Sequence, residues 1–383
     1  MALPLDGTST PGEVLAVSGA DGSPAPVVPP RVLCLGEALV DRLGPPGGDP
    51  AAAAADQLDD RLGGAPANVA SALARLGTPV AFLGRLGRDA IGAAFAELFA
   101  RRGVEVSGLQ WDGERPSRVV LVRRDASGER HFQGFAGGRD GGAGGGVADA
   151  VFADQALAAE ALTEPLQRLM PQAAWLLVGT IPLASPPAAG ALQLALERAA
   201  AAGVALAVDV NWRPTFWDGR AAATAGPSAA ATARIRPLLE RAALLKLAAE
   251  EAEWLFASRD PAAIRAALPQ RPAVVVTDGS APVAWCFGDQ AGALPTFAVP
   301  VVDSTGAGDA VLAGLLHRLC LEPDLLRAAA GDGPRLQAAI RFASACGAVV
   351  CQGAGAIDPQ PSSEQVEQFL AGTGGAAALP ARG

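Results

Sequence analysis

The stretch VDSTGAGDAVLAGLLHRLC (residues 302–320) sets two aspartates around a glycine turn just where a helical pattern begins. After Asp309 the apolar residues Val311, Leu312, Leu315, Leu316 and Leu319 recur at the spacing of one helical face. Upstream, the apolar run from Phe297 to Val302 predicts a buried strand, so Gly306 and Gly308 fall at a strand-to-helix junction. A helix start carries unpaired N–H groups and the positive end of the helix dipole. Glycines there let an anion approach the backbone closely. Gly306, Ala307 and Gly308 would thus form an anion hole that stabilises a phosphoryl group in flight. Asp309, in the first helical turn, has two readings. It accepts a proton from an alcohol attacking phosphorus, or it only complements the dipole. The pattern alone leaves both open.

Outside this stretch, strands and helices alternate. RVLCLGEALVD (31–41) opens as a strand and turns at Gly36. GGAPANVASALARLG (63–77) is a glycine loop followed by a helix with Val69, Ala70, Leu73 and Leu76 on one face, and VAFLGRLG (80–87) is the next strand. Strands recur at 173–179, 204–211, 243–247, 273–279 and 283–288, with helical segments between many of them. This alternation predicts an α/β fold in three layers, a mostly parallel sheet flanked by helices and joined by right-handed crossovers. RVVLVRRDASGERHFQGF (118–135) breaks the pattern as two β-rich segments around the turn-forming Asp125–Gly128. It reads as a hairpin and, with part of 41–62, as a small β lid spanning about 41–62 and 116–136. The glycine-rich 135–150 lacks the lysine and Ser/Thr of a P-loop and reads as a flexible linker.

Composition bounds the rest. The chain has 383 residues, room for one large α/β domain or two ordinary ones. No apolar run has the length of about eighteen residues that marks a membrane span. A net charge of −9 argues against a nucleic-acid or anionic-membrane surface. The five cysteines are scattered without CxxC or metal spacing, which fits a reduced compartment and a cytoplasmic home. Residues 1–30 have no basic residue and read as a disordered leader rather than a targeting peptide, and 371–383 as a flexible tail. One domain, 31–370, remains.

Ligands of open α/β sheets bind beyond the carboxyl ends of the strands. Asp41, Asn68, Asp209, Asn211, Arg213, Lys246, Glu251, Thr277, Gly279 and the DSTGAGD turn all fall at such ends. Each alone is a common cap or turn residue; together they outline a site. Lys246 is the sole lysine. His131 and His317 lie far apart with no metal-like partner, and Trp212, Phe216 and Trp217 read as packing residues.

GGAPANVASALARLG, GRLGRDAIG (84–92), VDVNWRPTFW (208–217) and DSTGAGDAVLAGLL (303–316) together resemble the ribokinase-like sugar kinases, the PfkB family, and within it the fructokinases. The resemblance runs in order from about Val32 to about Leu370. It implies an ATP-dependent carbohydrate kinase, most similar to a fructokinase, that phosphorylates a sugar's terminal hydroxymethyl group. Asp309 matches the family's base, and Gly306, Ala307 and Gly308 its anion hole. Asp41, Gly64 and Asn68 match positions that bind sugar hydroxyls, and Arg213 would meet phosphate or product. Thr277 and Gly279 match the turn that meets ATP phosphates, and Ser344 stands where the family often has Asn near the adenine. Apart from the resemblance, Asn211 and the sole lysine, Lys246, are candidates for the nucleotide side, with coding chance an equal account of the lysine. Glu251 matches the glutamate that organises Mg²⁺ through water. Asp303 and Thr305 lie near the family's monovalent-cation site, and the resemblance leaves open whether this chain uses K⁺. Pairing into a homodimer through the lid is a family habit. The chain departs at Ala248, where the motif has Asn, and at Asp278 and Pro282 beside the ATP turn. Asp278 adds a carboxylate that would repel phosphate unless offset. The rival readings are another sugar, sugar-acid or nucleoside kinase of the family, and a catalytically silent kinase-like binding subunit.

Overall fold

The computed structural model describes residues 31–45, 47–124, 130–136 and 151–374. The leader expected over 1–30, the Asp125–Gly128 turn, most of the glycine-rich linker and the last residues of the tail lie outside these.

The strands in chain order are β1 (Val32–Leu35), β2 (Leu39–Leu43), β3 (Asp59–Gly63), β4 (Val80–Gly87), β5 (Glu105–Asp112), β6 (Arg118–Arg124) and β7 (Arg130–Ala136). There follow β8 (Trp175–Val178), β9 (Ala205–Asp209), β10 (Leu244–Ala248), β11 (Ala273–Thr277), β12 (Val283–Phe287) and β13 (Gln290–Leu294). Nine of them form one sheet in the order β13-β12-β11-β10-β9-β8-β1-β4-β5. All neighbours from β11 through β5 are parallel, and at one edge β12 runs against β11 and β13 against β12. The chain therefore starts in the middle of the sheet, builds toward β5, then returns to β8 and builds the other way. In open α/β sheets ligands bind beyond the strand ends at the point where that direction reverses.

Strand side chains alternate between faces, and the two cores follow that period. Val32, Cys34 and Val275 belong to the core on one face, whereas Leu33, Leu35, Val274 and Val276 belong to the core on the other. Strands buried on both faces explain why these segments read as continuous apolar runs. The helices Ala65–Arg75, Ala307–Leu321 and Gly333–Val350 pack together on the first of these faces.

A second sheet of four strands has the order β3-β2-β6-β7, with β2 and β6 parallel and the outer pairs antiparallel. The segment Gly36–Ala38 joins β1 of the main sheet directly to β2 of this one.

Two expectations need correction. Phe297–Val302 is not a strand. Pro295 and Pro300 supply no N–H for a ladder. The Val302 amide instead donates to the Cys351 carbonyl at 2.8 Å, while Val301 and Val302 are 66% and 65% exposed. The helix Ala307–Leu321 is also buried on more than one face. Ala310, Ala313 and Gly314 are covered as well as Leu312, Leu315, Leu316 and Leu319, because it is sandwiched between the two neighbouring helices. No described helix is long and apolar enough to cross a membrane.

Candidate active site

Gly306 is the N-cap of the helix Ala307–Leu321 and sits in the left-handed region at φ 77°. A Cβ there would lie 2.5 Å from the Cβ of Ala356, so glycine is required twice over, by conformation and by space. The Ala307 amide donates to the Ser304 carbonyl at 3.2 Å. The amides of Gly306 and Gly308 have no acceptor among the described residues and are the two directly free to meet an anion. Upstream, one Asp303 oxygen accepts from the amide and hydroxyl of Thr305 at 3.0 and 2.7 Å, and the other accepts from the Gly355 amide at 2.7 Å. Asp303 and Thr305 thus tie the turn to the 351–359 loop.

Asp309 is partly buried, and its Oδ2 accepts a 2.7 Å hydrogen bond from Nδ2 of Asn68. Asn68 lies on the helix Ala65–Arg75, whose N-cap is Gly64 at φ 97°. A Cβ at Gly64 would press to 2.7 Å from the Glu37 carbonyl oxygen, so this turn lies directly on the β1–β2 connection. A carboxylate only accepts, so Nδ2 must face Asp309 and Oδ1 of Asn68 must face away. That Oδ1 is buried without a hydrogen-bond partner among the described residues. Asp41 on β2 stands close by, its Oδ2 3.2 Å from where a Cβ on Gly63 would be.

Beneath Gly308 runs a buried charge chain. Lys246 on β10 pairs across the parallel ladder with Asp209 on β9, its Nζ 3.1 and 3.2 Å from the two carboxylate oxygens. The same Nζ lies 3.0 Å from where a Cβ on Gly308 would sit. Burial alone would lower the Lys246 pKa, but Asp209, Glu251 and Asp309 outweigh it and hold the ammonium above its ordinary range. Asp309 is pushed above the usual aspartate value, first by burial and then by the Asp209 charge. Lys246, the Asn68 hydrogen bond and Arg213 pull the other way.

Glu251 accepts from the Trp212 amide at 2.6 Å with one oxygen and from the Ala248 amide at 2.8 Å with the other. Burial, followed by the Asp209 charge, raises its pKa. Each oxygen keeps a lone pair, a donor set that suits holding water about a cation rather than direct ligation. Asn211 has φ 40° at the end of the β9 segment, and Arg213 is exposed. Thr277 pairs with Ala248 across β10 and β11, and Gly279 follows in the next turn. Ser344 is buried on the helix Gly333–Val350. Among the described residues no side-chain hydrogen bond or ion pair joins Thr277 or Ser344 to the Asp309 cluster. Asp278, the added carboxylate, faces the Arg259 guanidinium at 3.5 Å. No group of three or more His, Cys, Asp or Glu among the described residues is arranged to hold a metal.

His317 proves to be a packing residue. It is hydrogen-bonded to the Thr78 hydroxyl at 2.7 Å and stacked on Phe342, and burial holds its pKa down to about 4. The His131 side chain lies outside the described residues. Trp212 packs against Trp217, their rings tilted by 40° with centroids 5.3 Å apart, and donates to the Ala225 carbonyl at 2.8 Å. The sequence placed Asp209 among the strand-end residues of the site but gave it no role; its partnership with Lys246 emerges only from the register of β9 and β10.

The family model for pfkB family carbohydrate kinases matches residues 29–139 and 143–363. Fructokinase-1 of Oryza sativa subsp. japonica is 32% identical over 342 residues, covering 88% of this chain and 97% of the relative. Among solved structures, the ATP-bound fructokinase of Xylella fastidiosa superposes with a TM-score of 0.72 at 28% identity, covering 90% of this chain and 98% of that one. A double mutant of the Vibrio cholerae O395 fructokinase, bound to fructose, ADP and potassium ion, gives a TM-score of 0.70 at 26% identity over 89% and 98%. This chain belongs to the pfkB family of carbohydrate kinases. Its fold, a mostly parallel sheet flanked by helices with a second small sheet, is the ribokinase-like one.

Proposed function

We propose that this sugar kinase is a fructokinase, with Asp309 as the base that activates the sugar's terminal hydroxymethyl group. One observation carries the reading. Asn68 and Asp309, far apart in sequence and assigned separately to sugar and to base, are joined by a 2.7 Å hydrogen bond. The Asn68 Oδ1 behind it is a buried acceptor without a partner among the described residues, a fit for a sugar hydroxyl.

In the reaction the hydroxyl oxygen attacks the γ-phosphorus of ATP, its proton passes to the Asp309 carboxylate, and the bond to the β-phosphate oxygen breaks to release ADP. The Gly306 and Gly308 amides stabilise the negative charge on the moving group. For Ala307 to join them, its 3.2 Å bond to Ser304 must yield. Lys246, beneath Gly308, and Arg213 add positive charge on that side. Mg²⁺, when bound, offsets the triphosphate charge, and Glu251 would hold a water of its shell. Asp303 and Thr305 order the loop at which a K⁺ would bind. Asp41 and Gly64 complete the sugar contacts, while Thr277, Gly279, Asn211 and Ser344 face the nucleotide. The second sheet serves as a lid, excluding water that would otherwise consume ATP. The cytoplasm is the proposed location; all five cysteines are unpaired thiols, which suits a reducing compartment.

A panel of fructose, ribose, glucose, 2-keto-3-deoxygluconate and adenosine, assayed with ATP for ADP release, tests the substrate. The highest kcat/KM is expected for fructose. Preference for the nucleoside or the sugar acid would overturn it.

A further inference from the structure

We infer that Glu37 is a positioning residue for the sugar site. As a neutral carboxylic acid it holds the Gly63–Gly64 turn and the start of the helix that carries Asn68. The inference rests on reading Gly64 and Asn68 as sugar contacts.

Glu37 follows β1 at the mouth of the sheet and is 3% exposed. Its Oε1 accepts from the Ala65 amide at 3.3 Å, which lies in the first turn of the Asn68 helix. Its backbone carbonyl is the group against which Gly64 packs. Glu37 therefore touches the sugar turn through both backbone and side chain. The other oxygen, Oε2, is buried with no hydrogen-bond partner among the described residues.

Beside it lies a small cavity of about 10 Å³ lined by Gly36, Glu37, Arg118, Asp154, Ser185 and Phe216, among others. That is room for about one water molecule. The charged groups facing Glu37 are Arg118 from β6 and Asp154 from the turn Ala153–Ala156. Those two already satisfy each other. Arg118 bonds Asp154 at 2.8 and 3.1 Å, and its guanidinium is enclosed by Phe135, Phe152 and Phe216 at 4.5 to 5.1 Å. A second carboxylate here would be an uncompensated buried charge. Glu37 instead keeps its proton. Burial pushes its pKa up to about 8, with the Asp154 charge acting in the same direction, while its own backbone N–H, Arg118 and the Ala65 amide oppose the rise without cancelling it. The acid then uses both oxygens, one accepting from Ala65 and the other donating into the cavity.

Ionisation removes that donor and sets a negative charge against Asp154. The turn loosens, and sugar affinity falls as pH rises through about 8. Glutamine reproduces the neutral acid, with one oxygen to accept and an NH₂ to donate.

The test measures KM for sugar and for ATP between pH 6.5 and 9 in wild type, E37Q and E37A, using the best sugar of the panel. E37A is expected to raise the sugar KM about tenfold at pH 6.5, the cost of one lost buried hydrogen bond, with the ATP KM within about twofold. E37Q restores the sugar KM to within about twofold of wild type and removes the alkaline rise that wild type shows. A sugar KM unchanged in E37A, a parallel rise in wild type and E37Q, no rise in wild type, or equal effects on the ATP KM would each overturn the inference. Should E37A not fold, the comparison of wild type with E37Q still decides it. Absence of turnover in wild type would instead defeat the kinase reading itself.

Discussion

The base proposed at Asp309 must be ionised, yet burial and Asp209 both oppose its ionisation. With its folded pKa above the ordinary aspartate range, the carboxylate is lost as pH falls through that raised value. The kcat/KM profile is therefore expected to show an acid limb above the pH at which an exposed aspartate titrates, about 3.9. A profile flat down to pH 4 would contradict it. Lys246 restrains this shift and pairs with Asp209, which is 3% exposed. K246M leaves Asp209 as an unpaired buried charge and is expected to cost about 3–5 kcal/mol in urea unfolding. It also moves the acid limb to higher pH. A stability within about 1 kcal/mol of wild type would show that water reaches Asp209. The residues of this chain of charges were legible because strand ends concentrate polar groups. Their pairing was not, since register across β9 and β10 is set by packing over the whole sheet.

At the scale of elements, the turn before the helix Ala307–Leu321 matters most. G306A forces an alanine into φ 77° and against Ala356. A stability loss of about 1–3 kcal/mol is expected, together with a kcat lower by about 10- to 100-fold as the amides shift. Wild-type kcat in a folded G306A would contradict the role given to this turn. The DSTGAGD spacing announced the helix, its glycine cap and its acidic first turn. The strand expected before it failed because hydrophobicity was read without weighing Pro295 and Pro300. The edge strands β5 and β13 were also not anticipated. Gly108 interrupts one, and QAGAL in the other has little β preference, so only their neighbours make them strands.

At the scale of the molecule, the small sheet and the Asn68 helix meet at Gly63–Gly64, so the proposed sugar site predicts that sugar binding orders the small sheet. Fructose at about 100 times its Kd is expected to slow amide exchange across β2, β3 and residues 64–68 by up to about 100-fold. The remote edge pair β12 and β13 should remain unchanged. Equal protection everywhere, or none in the small sheet, would contradict the coupling. The parallel architecture was legible from alternating apolar runs and helical segments. The anchorage of β6 and β7 was not, because it depends on Arg118, Asp154 and three phenylalanines brought from β7, from near 152 and from 216. An arginine opening an apolar strand was the only local hint.

The most direct measurement is steady-state ADP release by D309N with fructose and ATP, alongside calorimetric binding of each ligand. The account predicts a kcat lower by about 10²–10⁴-fold, with both dissociation constants within a few-fold of wild type. Near-normal turnover in D309N would contradict it, since no base would then be needed at that position.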